Sequence, residues 1–160
     1  MILLISDTNV IIDLDVCGLI ESMFQLPFSF AVPDVLYLEE LEDQHGNLPG
    51  FGLQVLPLSA ESISSAIELR AKYLDTGEND LFALTLAKQE ACPLLTGDQA
   101  LRTAAKEENV ELKGTIWIIQ QLIEQGSLNC ANASEAFDTM KANGRRLPWR
   151  KAEQMIASLR

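Results

Sequence analysis

Short, wholly apolar runs alternate along the chain with longer stretches that carry hydrophobic residues at helical spacing. Ile2, Leu3, Leu4 and Ile5 are all apolar, as expected of a strand buried on both faces of a parallel sheet. Ser6-Asp7-Thr8-Asn9 then supplies helix-starting residues, and Val10, Ile11, Leu14, Leu19, Ile20 and Phe24 continue a helical pattern broken near Gly18. Phe30-Ala31-Val32 reads as a second strand. Pro33-Asp34 opens a helix over Val35 to Glu42, because proline tolerates a first helical turn. His45 to Gly50 has the composition of a loop. Leu53 to Leu58 predicts a third strand. Ser59 caps a helix from Ala60 to about Leu74, with Ile63, Ala66, Ile67 and Leu69 toward the core, and Asp75-Thr76-Gly77 ends it. Glu78-Asn79-Asp80 opens the next helix, through Leu81, Leu84, Leu86 and Ala87. Pro93 to Thr96 predicts a strand stopped by Gly97-Asp98, followed by a helix from Gln99 to about Glu108 and a brief strand over Val110 to Leu112. Thr115 starts a helix through Ile123 that closes at Gly126, and two more helices follow at Ala133 to Ala142 and Pro148 to Leu159.

Strands alternating with helices predict an α/β fold, a three-layer α/β/α domain with a parallel sheet and a C-terminal helical extension. The expected division is a domain over residues 1–126 and an extension over 127–160 packed on it. A length of 160 residues suits a single folded unit that needs no disulfide or metal staple. The 48% apolar and 22% charged content argues against wholesale disorder. Cys17, Cys92 and Cys130 form no CxxC pair, and His45 is the only histidine, which argues against a His/Cys zinc site. The cysteines read as small buried hydrophobes of a reducing compartment. The first residues lack the basic start and long apolar run of a signal peptide, and no segment is long and apolar enough for a bilayer. A cytoplasmic location without membrane contact is expected.

Twelve Lys and Arg face 23 Asp and Glu, a formal net charge of −11. Such a chain is not a simple basic clamp on nucleic acid, so phosphate would have to be met by metal ions or a local basic patch. Several acids fall where α/β sheets bind ligands, beyond the carboxyl ends of strands. Asp7 and Asp98 end strands, Asp80 begins a helix, and Glu40 lies on the helix after the second strand. Each alone has a plain explanation as a helix cap or first-turn acid. Together they would repel one another unless a cation joined them, and carboxylates suit Mg²⁺ or Mn²⁺.

The segments Ile5-Ser6-Asp7-Thr8-Asn9, Glu39-Glu40-Leu41, Asp80-Leu81-Phe82-Ala83-Leu84 with Ala87, and Leu95-Thr96-Gly97-Asp98 resemble the PIN-domain nucleases. The resemblance is strongest to small bacterial and archaeal proteins related to the toxins of VapBC toxin–antitoxin pairs, and it spans roughly residues 2–125. Lys113-Gly114-Thr115-Ile116 also resembles a PIN subgroup with a Gly-Thr helix start. The resemblance implies a metal-dependent endoribonuclease, with Asp7, Glu40, Asp80 and Asp98 as catalytic ligands of Mg²⁺ or Mn²⁺. Thr8, Asn9 and Thr96 would support those carboxylates by hydrogen bonds. It implies a hydrolytic cut of RNA without a covalent intermediate, a small antitoxin protein as partner, and a homodimer. Helical spacing does not separate Glu39 from Glu40; the family motif, with its acid directly before Leu41, selects Glu40. Glu78 competes with Asp80, whose spacing to Leu84 and Ala87 fits better.

From Thr139 onward, Lys141, Arg145, Arg146, Arg150, Lys151 and Arg160 stand against the single acid Glu153. Arg102, Arg145, Arg146, Arg150 and Lys151 are therefore candidates for contact with RNA phosphates or a partner, or for pairing with the acidic body. Trp117 and Trp149 read first as packing residues, and His45 as a solvated loop residue. Two alternatives remain open. One is a phosphohydrolase of haloacid dehalogenase type, which needs a second Asp where this chain has Asn9. The other is a non-catalytic binding module with the same fold.

Overall fold

The computed structural model of the chain describes residues 1–160. Five strands form one parallel sheet in the order β3-β2-β1-β4-β5. They are β1 (Ile2–Ser6), β2 (Phe28–Pro33), β3 (Gln54–Leu56), β4 (Leu94–Leu95) and β5 (Leu112–Lys113). β1 is central, paired Ile2 to Phe28 on one side and Ser6 to Leu95 on the other. That position accounts for its unbroken apolar run, since Leu4 and Ile5 are fully enclosed while Ile2 protrudes at the strand's amino end. The chain steps from β1 out to β2 and β3, then returns to place β4 on the opposite flank of β1. The carboxyl ends of β1 and β4 therefore meet at a topological switch point, where α/β sheets open a ligand crevice.

Helices cover the sheet. α1 (Thr8–Val16) follows β1, and the chain turns at Gly18, whose φ of +75° suits glycine, into α2 (Ile20–Phe24). After β2 the chain forms α3 (Asp34–Leu36), a widened π-helical turn over Tyr37–Leu41, and α4 (Glu42–His45). In that turn the Glu42 amide donates to the Tyr37 carbonyl, five residues back. α5 (Leu48–Phe51), α6 (Ala60–Lys72), α7 (Glu78–Glu90), α8 (Gln99–Glu107) and α9 (Thr115–Glu124) complete the domain body. α10 (Cys130–Ala142) and α11 (Trp149–Leu159) extend it. Phe137, Met140, Ala152, Met155 and Ile156 of these last helices join the same buried cluster as the sheet residues. Burying a Phe, Met or Ile side chain is worth about 1.5–3 kcal/mol, so the extension is anchored by the core it shares.

The structure departs from the sequence pattern at several points. The segment with loop composition contains α5, because Leu48 and Leu53 are buried and Gly52, at φ +119°, closes the turn between them. Only Ala66 and Leu69 of α6 are buried. Ile63 and Ile67 are 42% and 65% exposed because one narrow stripe meets α7 and nothing covers the opposite side. The last strand begins two residues later than its apolar run. Asn109 takes a left-handed turn and the Val110 amide closes α8 by donating to the Ala105 carbonyl. Cys17, Cys92 and Cys130 are free and half-buried rather than enclosed.

Candidate metal centre at the switch point

Asp7 leaves β1 directly into the α1 N-cap, where its Oδ1 accepts from the Val10 amide at 2.9 Å. The Asp7 amide donates to the Leu95 carbonyl, which sets the ends of β1 and β4 side by side. Thr96 then reaches across: its hydroxyl donates to Asp7 Oδ2 at 2.5 Å and accepts from the Asp98 amide at 3.0 Å. Asp98 caps α8, its Oδ2 accepting from the Leu101 amide at 2.9 Å. Asp7 and Asp98 are thus true helix caps, but capping alone does not call for what surrounds them. Asp7 and Thr96 are wholly buried, and Asp80, in the first turn of α7, faces Asp98 and Glu40.

The electrostatics follow from that crowding. Burial pushes the Asp7 carboxyl up from 3.8 to about 7; its bonds to Thr96 and Val10 pull against this, and the charges of Asp80 and Asp13 add to the rise. Burial, then Asp98 and Glu40, raises the Asp80 carboxyl to about 6. No lysine or arginine forms an ion pair with Asp7, Glu40, Asp80 or Asp98. Glu39 and Glu40 project from the π-helical turn, and the Asn79 amide of α7 donates to both, at 2.9 and 2.8 Å. Glu78 points elsewhere, toward Arg70 at 3.6 Å. Thr8 Oγ1 is buried without a hydrogen-bond partner. These all-oxygen donors, uncompensated by protein cations, fit a hard divalent ion. No three His, Cys, Asp or Glu side chains form a ready-made metal cage, so the carboxylates gather around the crevice without closing on one point.

One charged residue of this region is not singled out by the sequence pattern. Asp13 lies on the buried stripe of α1, near Leu14 and Ile11, and is 6% exposed. Thr115 Oγ1 donates to its Oδ2 at 2.7 Å, and Arg145 Nε to its Oδ1 at 2.6 Å. The signal available in the sequence was an acid inside an apolar helical stripe. Arg145 also donates from Nη2 to the carbonyl and Oδ1 of Asn9, so this guanidinium is committed within the chain. Arg102 Nη1 donates to the Thr96 carbonyl at 2.7 Å. Trp149 packs edge-on against Phe137, Trp117 lies against Phe28, and His45 Nδ1 stands 3.2 Å from Asp15.

The fold and the site together define a class of domain, a five-stranded parallel α/β sheet with carboxylates gathered at its switch point. The PIN-domain family model matches residues 3–160, and the chain belongs to that family. The match includes α10 and α11, beyond the stretch that carries the motif resemblance. Among solved structures, the crystal structure of VapBC2 from Rickettsia felis bound to a DNA fragment from their promoter is similar in fold. It has a TM-score of 0.50 and 18% identity, covering 71% of this chain and 98% of that one. No curated protein matches the chain significantly. No helix is long and apolar enough to cross a membrane.

Proposed function

We propose that the protein is a toxin-type PIN endoribonuclease that hydrolyses RNA phosphodiesters with the help of Mg²⁺ or Mn²⁺. The observation that carries this reading is the set of uncompensated carboxylates, Asp7 and Asp98 bridged by Thr96 at the ends of β1 and β4, with Asp80 and Glu40 alongside. Asp7, Glu40, Asp80 and Asp98 would hold the cation. When bound there, such an ion supplies charge neutralisation, activation of water and stabilisation of an in-line displacement at phosphorus. Thr96 holds the Asp7 carboxylate by its hydroxyl, and the Asn79 amide holds Glu39 and Glu40 together at the start of α7. Thr8 has a free hydroxyl at the site, and Asn9 is fixed by Arg145.

A small antitoxin belongs to the same reading, since the similar solved structure is a VapBC2 assembly. A cytoplasmic homodimer belongs to it as well, and exposed Ile63, Ile67 and Leu74 support self-association. The division into a nuclease domain over 1–126 and an extension over 127–160 is part of the proposal. Purified protein is expected to cut labelled single-stranded RNA in Mg²⁺ or Mn²⁺, to stop in EDTA, and to lose activity by orders of magnitude in Asp80→Asn. Metal-independent cleavage, or turnover of a chromogenic phosphate ester with inert RNA, refutes it.

A further inference from the structure

The cations named by the sequence do not act together. Arg145 is consumed by Asp13 and Asn9. Arg102, Arg146 and Lys151 instead line one cleft of about 500 Å³, between the start of α9 and the loop that enters α11. Lys113 of β5 joins them, its ammonium 5.3 Å over the Trp117 ring and 3.5 Å from the exposed Glu111. Arg102, Arg146 and Lys151 have no carboxylate partner at all, in a chain with 23 acids available. The one acid that lines the cleft, Asp13, is already neutralised by Arg145. Thr96 and Gly97 form part of the same wall, so the cleft runs up to the residue that bridges Asp7 and Asp98.

Cations that converge without partners on an otherwise acidic surface create a local positive potential, and a concave wall concentrates it. The cleft carries four cations against one neutralised acid and ends at Thr96, beside the carboxylate crevice, which favours a ligand that is polyanionic along its length. We propose that this cleft is a backbone-binding subsite for single-stranded RNA, with Arg146 and Lys151 of the extension and Arg102 and Lys113 of the body receiving phosphates next to the scissile one. The inference rests on the RNA-nuclease reading for what lies in the crevice, but not for the cleft's charge. In this arrangement Arg145 locks the extension to α1 and so sets the neighbouring Arg146 over the cleft.

The test is binding of a fluorescently labelled, unstructured RNA, read by anisotropy in EDTA, where no metal-dependent cleavage intervenes. Arg146→Gln/Lys151→Gln changes two exposed residues, and its circular dichroism melt checks the fold. Losing two phosphate contacts is expected to weaken binding at least tenfold at low salt. The slope of log K against log salt should become shallower by roughly 1.4, at about 0.7 per contact for single strands. Arg146→Lys/Lys151→Arg, which keeps both charges, is expected to restore the slope. Lys106→Gln, an exposed cation on α8 outside the cleft, should match wild type. Unchanged RNA affinity in the double variant overturns the inference, as does absence of RNA binding by the wild-type chain. So does weakened binding of an acidic peptide with RNA binding intact, which would make the cleft a peptide site. If wild-type protein binds RNA through these residues yet never cleaves it in metal, the nuclease reading fails and the subsite stands. Cleavage with unchanged KM in the double variant gives the converse.

Discussion

Replacing Asp7 by Asn separates a metal-site carboxylate from a helix cap. Asn caps α1 about as well as Asp and can still accept from the Val10 amide. The charge is what changes. The folded-state carboxyl is raised from 3.8 to about 7, so the folded protein holds this proton more tightly than the unfolded chain does. Its contribution to stability is therefore intact below pH 4, declines as pH rises from 4 to 7, and stays lost above that. A rise of about three units corresponds to about 4 kcal/mol at pH 8. Part of this is not recovered in the variant, because the Thr96 hydroxyl donates to Asp7 Oδ2 and an amide nitrogen there cannot accept it; a lost hydrogen bond costs about 1 kcal/mol. In EDTA at pH 8, Asp7→Asn should thus be more stable than wild type by about 3 kcal/mol, or roughly 6–12 °C in Tm for a chain of this size. At pH 4 and below, where the charge penalty is absent, only the lost Thr96 bond separates the two, and the variant should be the less stable by up to about 1 kcal/mol. Asp80, raised to about 6, remains, so the variant keeps a shallower decline up to that pH. Urea unfolding followed by circular dichroism at the two pH values gives these numbers. Added Mn²⁺ should stabilise wild type more than the variant, and RNA cleavage should vanish in the variant. An Asp7→Asn protein no more stable than wild type at pH 8, with unaltered response to Mn²⁺, refutes the reasoning.

Arg145→Ala leaves Asp13 buried with only Thr115 as partner, and is expected to cost about 3–5 kcal/mol in urea unfolding. Asp13→Asn added to Arg145→Ala should recover much of that loss, because the stranded charge is gone; a double variant as unstable as the single one refutes the account. Glu108 is held down at about 2 by bonds from Lys88, Tyr73 and Lys72. Its folded pKa lies below the unfolded 4.5, so the stability it contributes is present above that pH and lost as pH falls through 2. Glu108→Gln should cost about 2 kcal/mol at pH 7 and almost nothing near pH 2, which melts across that range will show.

Much of this protein is legible in local sequence because the signals involved are local. A run apolar at every position, Ile2 to Ile5, belongs in the middle of a sheet, and β1 is there. Asp7 and Asp98, each just past such a run, cap the helices that follow, as short polar side chains do wherever a chain turns from strand to helix. Gly18 breaks the first helical stretch because its left-handed turn needs no Cβ. What only tertiary structure decides is which of these local features meet. The strand order brings β4 back against β1, so Thr96 can bond Asp7 across 89 residues of sequence. Arg145 finds Asp13 across 132, and nothing in the spacing of either marks the pair. The same packing leaves half of the apolar stripe of α6 in solvent and divides the basic residues between a buried lock and an open cleft. A helical or strand period is encoded within a few turns of chain, whereas the partner of a charge and the cover over an apolar face depend on which distant segment arrives beside them.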